Sequence, residues 1–125
     1  MEKHTKITLQ ELIRRKEQQL ESNKTPKRKE LYISSLDGTV TVESPTAALA
    51  KDAQEMDKGD VYIVYQCMVD PCLKSKELQK EYGCVEPMEI VELVFAPGEI
   101  PQISVECLRL AGYIDGVKAV EDTKN

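Results

Sequence analysis

The residues of this chain that could do chemistry are four cysteines, one histidine and several closely spaced carboxylates. The cysteines are Cys67, Cys72, Cys84 and Cys107. Zinc sites usually contain a C-x-x-C pair or a matching histidine pair, and this spacing contains neither. The single histidine, His4, stands in a terminus that we expect to fray. We therefore predict no metal site.

Catalysis by these residues would need a base or a recognisable phosphate-binding or hydrolytic motif. A cysteine nucleophile would have to use His4, since no other histidine exists. The carboxylates of Glu77 and Glu81, and of Glu86, Glu89 and Glu92, recur every three or four residues, which is typical of a solvated helix face. G-x-S-x-G, H-E-x-x-H and Gly-rich phosphate loops are all missing. The sequence predicts no catalytic residues, no cofactor and no enzyme.

The charge distribution argues against a nucleic-acid partner. The net charge is −5, and the acidic excess lies in residues 61–125, with 6 Lys and Arg against 11 Asp and Glu. The basic cluster at residues 24–29 is short, and we interpret it as a solvated linker. A nucleic-acid-binding domain would be expected to show a basic face instead.

The overall composition predicts a soluble protein, for which the cytoplasm is the default location. No apolar run approaches the roughly 20 residues of a membrane span, and the N-terminus lacks the apolar core of a signal peptide. With no secretion signal, we expect the cysteines to be reduced and structural. At 125 residues the chain is expected to be one domain. Its predicted parts are an N-terminal helix and linker at 1–29, a hairpin at 30–43 and a helical body at 44–120.

The first predicted helix spans residues 8–22. Thr8 and Glu11 match the S/T-x-x-E capping box, and Ile7 and Leu12 stand where a hydrophobic staple would be. Its thin apolar stripe consists of Leu9, Leu12, Ile13 and Leu20. Such a helix either packs weakly on the body or awaits a partner.

A β-hairpin is the clearest strand signal. Two short apolar and β-branched runs flank Asp37-Gly38, a dipeptide that favours a two-residue type I′ turn. That turn would place Leu36 opposite Thr39, and one apolar face would follow. This face would contain Leu31, Ile33, Val40 and Val42.

The remaining chain reads as a bundle of short helices, so the expected fold is α+β and mainly α-helical. Ser44-Pro45 is expected to open the first helix of the body, with Ser44 as its N-cap. The run from Val61 to Val69 fits either a buried helix or a buried strand, and we favour a helix that ends before Pro71. Further helices are expected to open at Ser75 and at Glu86-Pro87.

The best-marked helix follows the Pro97-Gly98 break. Gly98 can be its N-cap, Glu99 suits its first turn, and Gly112 is placed to end it. Its apolar stripe is expected to include Ile100, Ile103, Cys107 and Leu108.

Together these motifs resemble the XkdN-like tail assembly chaperones of long-tailed phages and prophages. The resemblance rests on the charged first helix, the Asp37-Gly38 hairpin, and a set of motifs that is strongest over residues 59–125. These motifs are Val61-Tyr-Ile-Val-Tyr-Gln-Cys, Asp70-Pro-Cys-Leu, the Leu78/Tyr82-Gly83 helix, Glu86-Pro87, Pro97-Gly-Glu-Ile100, Leu110-Ala-Gly-Tyr113 and the terminal Lys124-Asn125.

The resemblance implies a protein of the infected bacterial cytoplasm that binds the tape measure protein and keeps it soluble. It would also assist assembly of the tail tube around that protein and then be absent from the virion. Members are often encoded with a programmed frameshift that gives a longer form. The competing class is a structural virion or adaptor protein, such as a head–tail connector. A homo-oligomer is also compatible with the sequence.

We expect the partner-binding surface on the helices at 87–95 and 99–111. Carboxylates there could pair with basic residues of a helical client, while apolar side chains cover the apolar stripe of that client. The proposed binding residues are Glu89, Glu92, Phe95, Ile100, Ile103, Glu106 and Leu108. For the four apolar members the alternative is that they simply form the core.

Overall fold

The computed structural model describes residues 4–120, which form seven α-helices, one 3₁₀ turn and a three-stranded antiparallel sheet. The helices are α1 (Leu9–Arg14), α2 (Lys16–Lys24), α3 (Ala47–Gln54), α4 (Gly59–Cys67), α5 (Lys76–Glu81), α6 (Glu89–Val94) and α7 (Glu99–Leu110). The strands are β1 (Arg28–Ile33), β2 (Gly38–Glu43) and β3 (Met68–Asp70). This confirms the α+β, mainly helical fold. The terminal Lys124-Asn125 motif lies outside the described residues.

The predicted first helix is present, but it is divided in two. Thr8 caps α1, because its Oγ1 accepts the backbone N–H of Glu11 at 3.1 Å. The Glu11 carboxylate pairs with Arg14 and Arg15, the latter at 2.6 Å. Arg15 leaves the helical region at φ −89° and ψ 9°, and α2 begins at the next residue. The apolar spacing could not predict this break, since the surrounding residues are all good helix formers.

The hairpin has the predicted buried face in a different register. Leu31 lies opposite Val40, and Ile33 lies opposite Gly38, because residues Ser34–Leu36 form a 3₁₀ turn and Asp37 is left-handed at φ 47°. The two-residue turn prediction was therefore wrong. The register moves by an even number of residues, so the apolar side chains keep the same face. Ile33, Val40 and Val42 are buried as expected.

The run from Val61 to Val69 is a helix in its first part and a strand at its end. It is helical as α4 up to Cys67, and Met68 to Asp70 then extend as β3. β3 pairs with β2 through Val42 opposite Met68, with a bulge beside Thr41, so β2 is the central strand. The sequence suggested no pairing strand because the partner precedes β3 by more than twenty residues.

The turn between α3 and α4 brings the two helices very close together. The helix α3 is capped by Thr46, whose Oγ1 accepts the N–H of Leu49 at 3.1 Å. Ser44, the expected cap, instead accepts the N–H of Lys27 at 2.9 Å. At Gly59, a Cβ atom would lie 2.1 Å from the carbonyl oxygen of Ala53. Only glycine fits at this position without moving backbone.

The C-terminal helices begin and end largely where the sequence indicates. Ser75 caps α5, and Gly98 precedes α7. Gly83 and Gly112 both have positive φ, at 71° and 88°. At each, the N–H of the glycine and the N–H of the next residue close a Schellman motif. At Gly112 these two groups bond to the carbonyls of Arg109 and Leu108, both at 3.0 Å.

The core lies between the hairpin and four of the helices. α4 packs against α3, α6 and α7, and α7 also contacts β1 and β2. The largest fully buried side chains are those of Val42, Ile63, Val64, Leu73, Ile90, Val91 and Cys107. The helices α1 and α2 contribute no buried residue to this core.

Candidate partner-binding surface

The helix α6 carries three of the predicted binding residues. Phe95, which follows its last turn, is 3% exposed and belongs to the core. The Glu89 carboxylate accepts the backbone N–H of Val85 at 2.8 Å and so closes the loop that leads into the helix. Glu92 pairs with Lys58 at 3.3 Å and links α6 to the α3–α4 turn. Of these three side chains, only the two carboxylates face solvent.

The helix α7 carries the other four. Ile100 and Ile103 are buried, and Leu108 is half-buried against the core. Glu106 bonds to Lys29 of β1 at 2.7 Å and pairs with Arg109 at 3.7 Å. The Lys29 hydrogen bond is the main reason why the pKa of Glu106 lies below its ordinary value. Of these four residues, Glu106 is thus at the surface, and Ile100, Ile103 and Leu108 face the core.

The structure does not test whether these seven residues bind a partner, so their binding role stays a prediction. The three carboxylates, Glu89, Glu92 and Glu106, are accessible to a partner, although each already has an intramolecular bond. A partner could reach Phe95 and Ile100 only by opening the core, whereas Ile103 and Leu108 each line a cavity. Solvent-facing apolar area near them comes instead from Leu93 and Val105, which the sequence did not single out.

Glu99 is the residue at this surface whose role the sequence revealed only in part. Its carboxylate accepts the N–H of Ser35 at 3.0 Å, the hydroxyl of Ser35 at 2.8 Å and the N–H of Ala96 at 3.0 Å. These bonds, the Ser35 hydroxyl first, hold the pKa of Glu99 below its ordinary value of 4.5. The helix start predicted an acid at this position. The contact with the hairpin turn needed the tertiary structure.

A cavity of about 280 Å³ lies between the hairpin and α7. Its lining includes Leu31, Ile33, Glu99, Gln102, Ile103 and Glu106. Apolar side chains and carboxylates therefore meet in one concave surface. Such a surface suits an apolar side chain that is accompanied by a basic or amide group.

A second cavity of about 370 Å³ lies on the other side of α7, between α3, α4 and the turn that follows Leu110. Ala53, Ile63, Leu108, Tyr113 and Ile114 contribute to its lining, together with Asp60. Leu108 is the only one of the predicted binding residues in this lining. The cavity is open at the surface, where Tyr113 is half exposed.

The N-terminal arm, which we define as residues 4–27, is a third exposed feature. Every residue from 12 to 30 is exposed. Five large apolar side chains in the arm are between 48% and 69% exposed, namely Ile7, Leu9, Leu12, Ile13 and Leu20. The arm is therefore helical without a core of its own, and helices this short are marginal in isolation.

The cysteines and carboxylates of the described residues are not grouped into a metal site. Between residues 4 and 120, no three His, Cys, Asp or Glu side chains are grouped so as to hold a metal ion. The four cysteines are free, and Cys67 and Cys107 are buried. The hydrogen bond with Cys67 and, to a smaller extent, burial raise the pKa of Cys107. This thiol is therefore expected to be unreactive. No helix in this part of the chain is long and apolar enough to cross a membrane.

Comparison with known proteins gives one match. The model of the phage XkdN-like tail assembly chaperone family matches residues 1–124. No match was found among curated proteins or among solved structures.

Proposed function

Because the chain belongs to the phage XkdN-like tail assembly chaperone family, we propose that it binds the tape measure protein while the tail is built. It keeps this long protein soluble in the host bacterial cytoplasm and assists assembly of tail tube subunits around it. It acts by binding rather than by catalysis. It then leaves and is absent from the mature virion.

The observation that carries the proposal is the acidic, partly apolar surface of α6 and α7. Glu92 and Glu106 are exposed or half-buried carboxylates, and Leu93 and Val105 are exposed apolar side chains on the same two helices. The cavity beside α7 adds Gln102 and Glu99. A helical client with basic residues flanking an apolar stripe would be complementary to this surface in both charge and polarity.

The test is co-purification of tape measure fragments with a charge-reversed chain. Glu92→Lys combined with Glu106→Lys removes two surface carboxylates and leaves the core untouched. Since exposed ion pairs contribute at most about 1 kcal/mol each, the fold should persist. We expect capture of the fragment to fall by roughly tenfold, because attraction across the interface becomes repulsion.

The matched control is Glu77→Lys combined with Glu81→Lys on α5, which changes the net charge equally at exposed positions elsewhere. This control should bind like the unmodified chain. Binding that survives in the α6–α7 variant would rule out the acidic surface. An equal loss in both variants would point to net charge instead of a site.

A further inference from the structure

The N-terminal arm is exposed although its base is fixed to the body. The backbone N–H of Lys27 bonds to the Ser44 hydroxyl at 2.9 Å, and the Ser44 N–H bonds to the Lys27 carbonyl at 2.8 Å. Before this point, the five apolar side chains of the arm remain about half exposed or more. Three of them, Leu9, Leu12 and Ile13, share the short helix α1, and exposed apolar side chains grouped in this way on a folded chain indicate an interaction surface.

The arm and the body carry opposite charge. Residues 4–27 contain six Lys and Arg against three Glu, for a net charge of +3. Residues 28–120 contain nine Lys and Arg against sixteen Asp and Glu, for a net charge of −7. In the arm, three basic residues, Arg14, Arg15 and Lys16, directly follow the apolar pair Leu12-Ile13. The Arg14 side chain stays 71% exposed even though it pairs with Glu11.

The body presents a matching surface at the cavity between α3, α4 and α7. Its lining is mostly apolar, with Ala53, Ile63, Leu108 and Tyr113 among its members. The adjoining segment from residue 52 to residue 60 contains four acids and a single basic residue, Lys58. Three of the acids, Asp52, Glu55 and Asp57, are exposed. An apolar pocket that includes Asp60, and whose lining residues Ala53 and Gln54 are flanked by further acids in the chain, is complementary to an apolar helix with adjacent arginines.

We propose that the arm of one copy docks on this cavity of a second copy. Leu12 and Ile13 fill the apolar cavity, and Arg14 to Lys16 meet Asp52, Glu55 and Asp57. Because each chain has both an arm and a cavity, a reciprocal exchange satisfies both copies and closes a two-fold dimer. The inference does not depend on the proposed client surface, although Glu92 of that surface pairs with Lys58 beside the acidic segment.

The test is a charge exchange measured by sedimentation velocity on the full-length chain. The arm variant carries Arg14→Glu, Arg15→Glu and Lys16→Glu, and the body variant carries Asp52→Lys, Glu55→Lys and Asp57→Lys. We expect the unmodified chain to form a dimer that weakens as salt is added. Each variant alone should associate roughly tenfold or more weakly, because like charges then face each other.

Mixing the two variants gives the decisive result. In a mixed dimer the acidic arm meets the basic body, and the unmodified arm meets the unmodified body, so both contacts are restored. We expect the mixture to form dimers that neither variant forms alone. A chain that carries all six substitutions should likewise dimerise with itself.

The control reverses three exposed lysines elsewhere, with Lys76→Glu, Lys80→Glu and Lys118→Glu, and should dimerise like the unmodified chain. Circular dichroism checks that each variant is folded. If the body variant fails to fold, the arm variant and its salt dependence still decide the question. An unmodified chain that stays monomeric, or an arm variant that still dimerises, would overturn the proposal.

Discussion

Glu99 joins two parts of the chain that are 64 positions apart in sequence. Its carboxylate satisfies the N–H and hydroxyl of Ser35 in the hairpin turn and the N–H of Ala96 before α7. One side chain thus fixes both the shape of the turn and the position of the helix. The Ser35 N–H is thereby used in a tertiary bond, which the two-residue turn predicted from the sequence did not include.

The stabilising effect of Glu99 should depend on pH in a defined direction. Its pKa in the folded chain is lowered from 4.5, so the ionised carboxylate stabilises the fold above that value. This contribution is lost as the pH falls through the lowered pKa. Urea unfolding of the unmodified chain and of Glu99→Gln, from about pH 7 to about pH 3, measures the difference. We expect the variant to be less stable at neutral pH and the gap to close in acid.

Glu77→Gln provides the comparison, because Glu77 is exposed on α5. Its unfolding midpoint should follow that of the unmodified chain at every pH. A Glu99→Gln gap that stays constant into the acid range would show that the carboxylate charge is not what stabilises the turn.

At the scale of elements, the α3–α4 pair depends on the absence of a side chain at one position. Gly59 opens α4 where the helix passes the carbonyl group of Ala53. The close approach lets α4 present Val61, Ile63 and Val64 to the core. The sequence shows a glycine at this position but does not show that the space beside it is filled.

Gly59→Ala should therefore destabilise the protein. The new Cβ would lie 2.1 Å from the Ala53 oxygen, so backbone must shift, and overpacking of this kind costs about 1–3 kcal/mol. The unfolding free energy from urea titration measures the loss. Gly98→Ala is the control, because its Cβ would meet nothing within 4 Å. We expect its effect to stay within about 1 kcal/mol, and equal losses in both variants would refute the close-contact explanation.

The elements that the sequence predicted well are those with local signals. Ser75 caps a helix through its side chain, and Gly112 ends one because it has no side chain; each acts as expected. The apolar face of the hairpin was also predictable, because strand alternation is local. The hairpin register and β3 were not predictable from local signals. The hairpin turn contacts Glu99, far away in sequence, and β3 pairs with a strand that precedes it by more than twenty residues.

The candidate site was predictable to a smaller extent. Periodicity placed Phe95, Ile100 and Ile103 on apolar stripes, and the structure shows that these stripes face the core. A stripe alone does not reveal what covers it, so burial had to come from the tertiary packing. The carboxylates were easier to place at the surface, because a charge without a partner is rarely buried.

At the scale of the whole molecule, the family assignment concerns assembly, and assembly proteins differ in whether they remain in the product. The proposed chaperone is released once the tail is complete, whereas a head–tail connector would stay. The distinction can be made without disturbing the fold.

Quantitative mass spectrometry of purified particles and of the infected-cell lysate is the measurement. We expect peptides of this chain to be abundant in the lysate and missing from the particles, because a released chaperone is not a structural component. The major tail tube protein serves as the internal reference in both samples. Recovery of this chain at a fixed ratio to the tube protein in particles would favour the connector alternative.

The strand order β1-β2-β3 leaves β1 at one edge of the sheet and β3 at the other. An unpaired strand edge can act as a template on which another chain adds its own strand, and this is how β-aggregates grow. The first half of β1 is Arg28-Lys29-Glu30, and charged side chains discourage such addition. The other edge, β3, is only three residues long and is followed by Pro71. Both edges of the sheet are thus poor templates for a further strand, so a client bound as proposed would not extend the sheet.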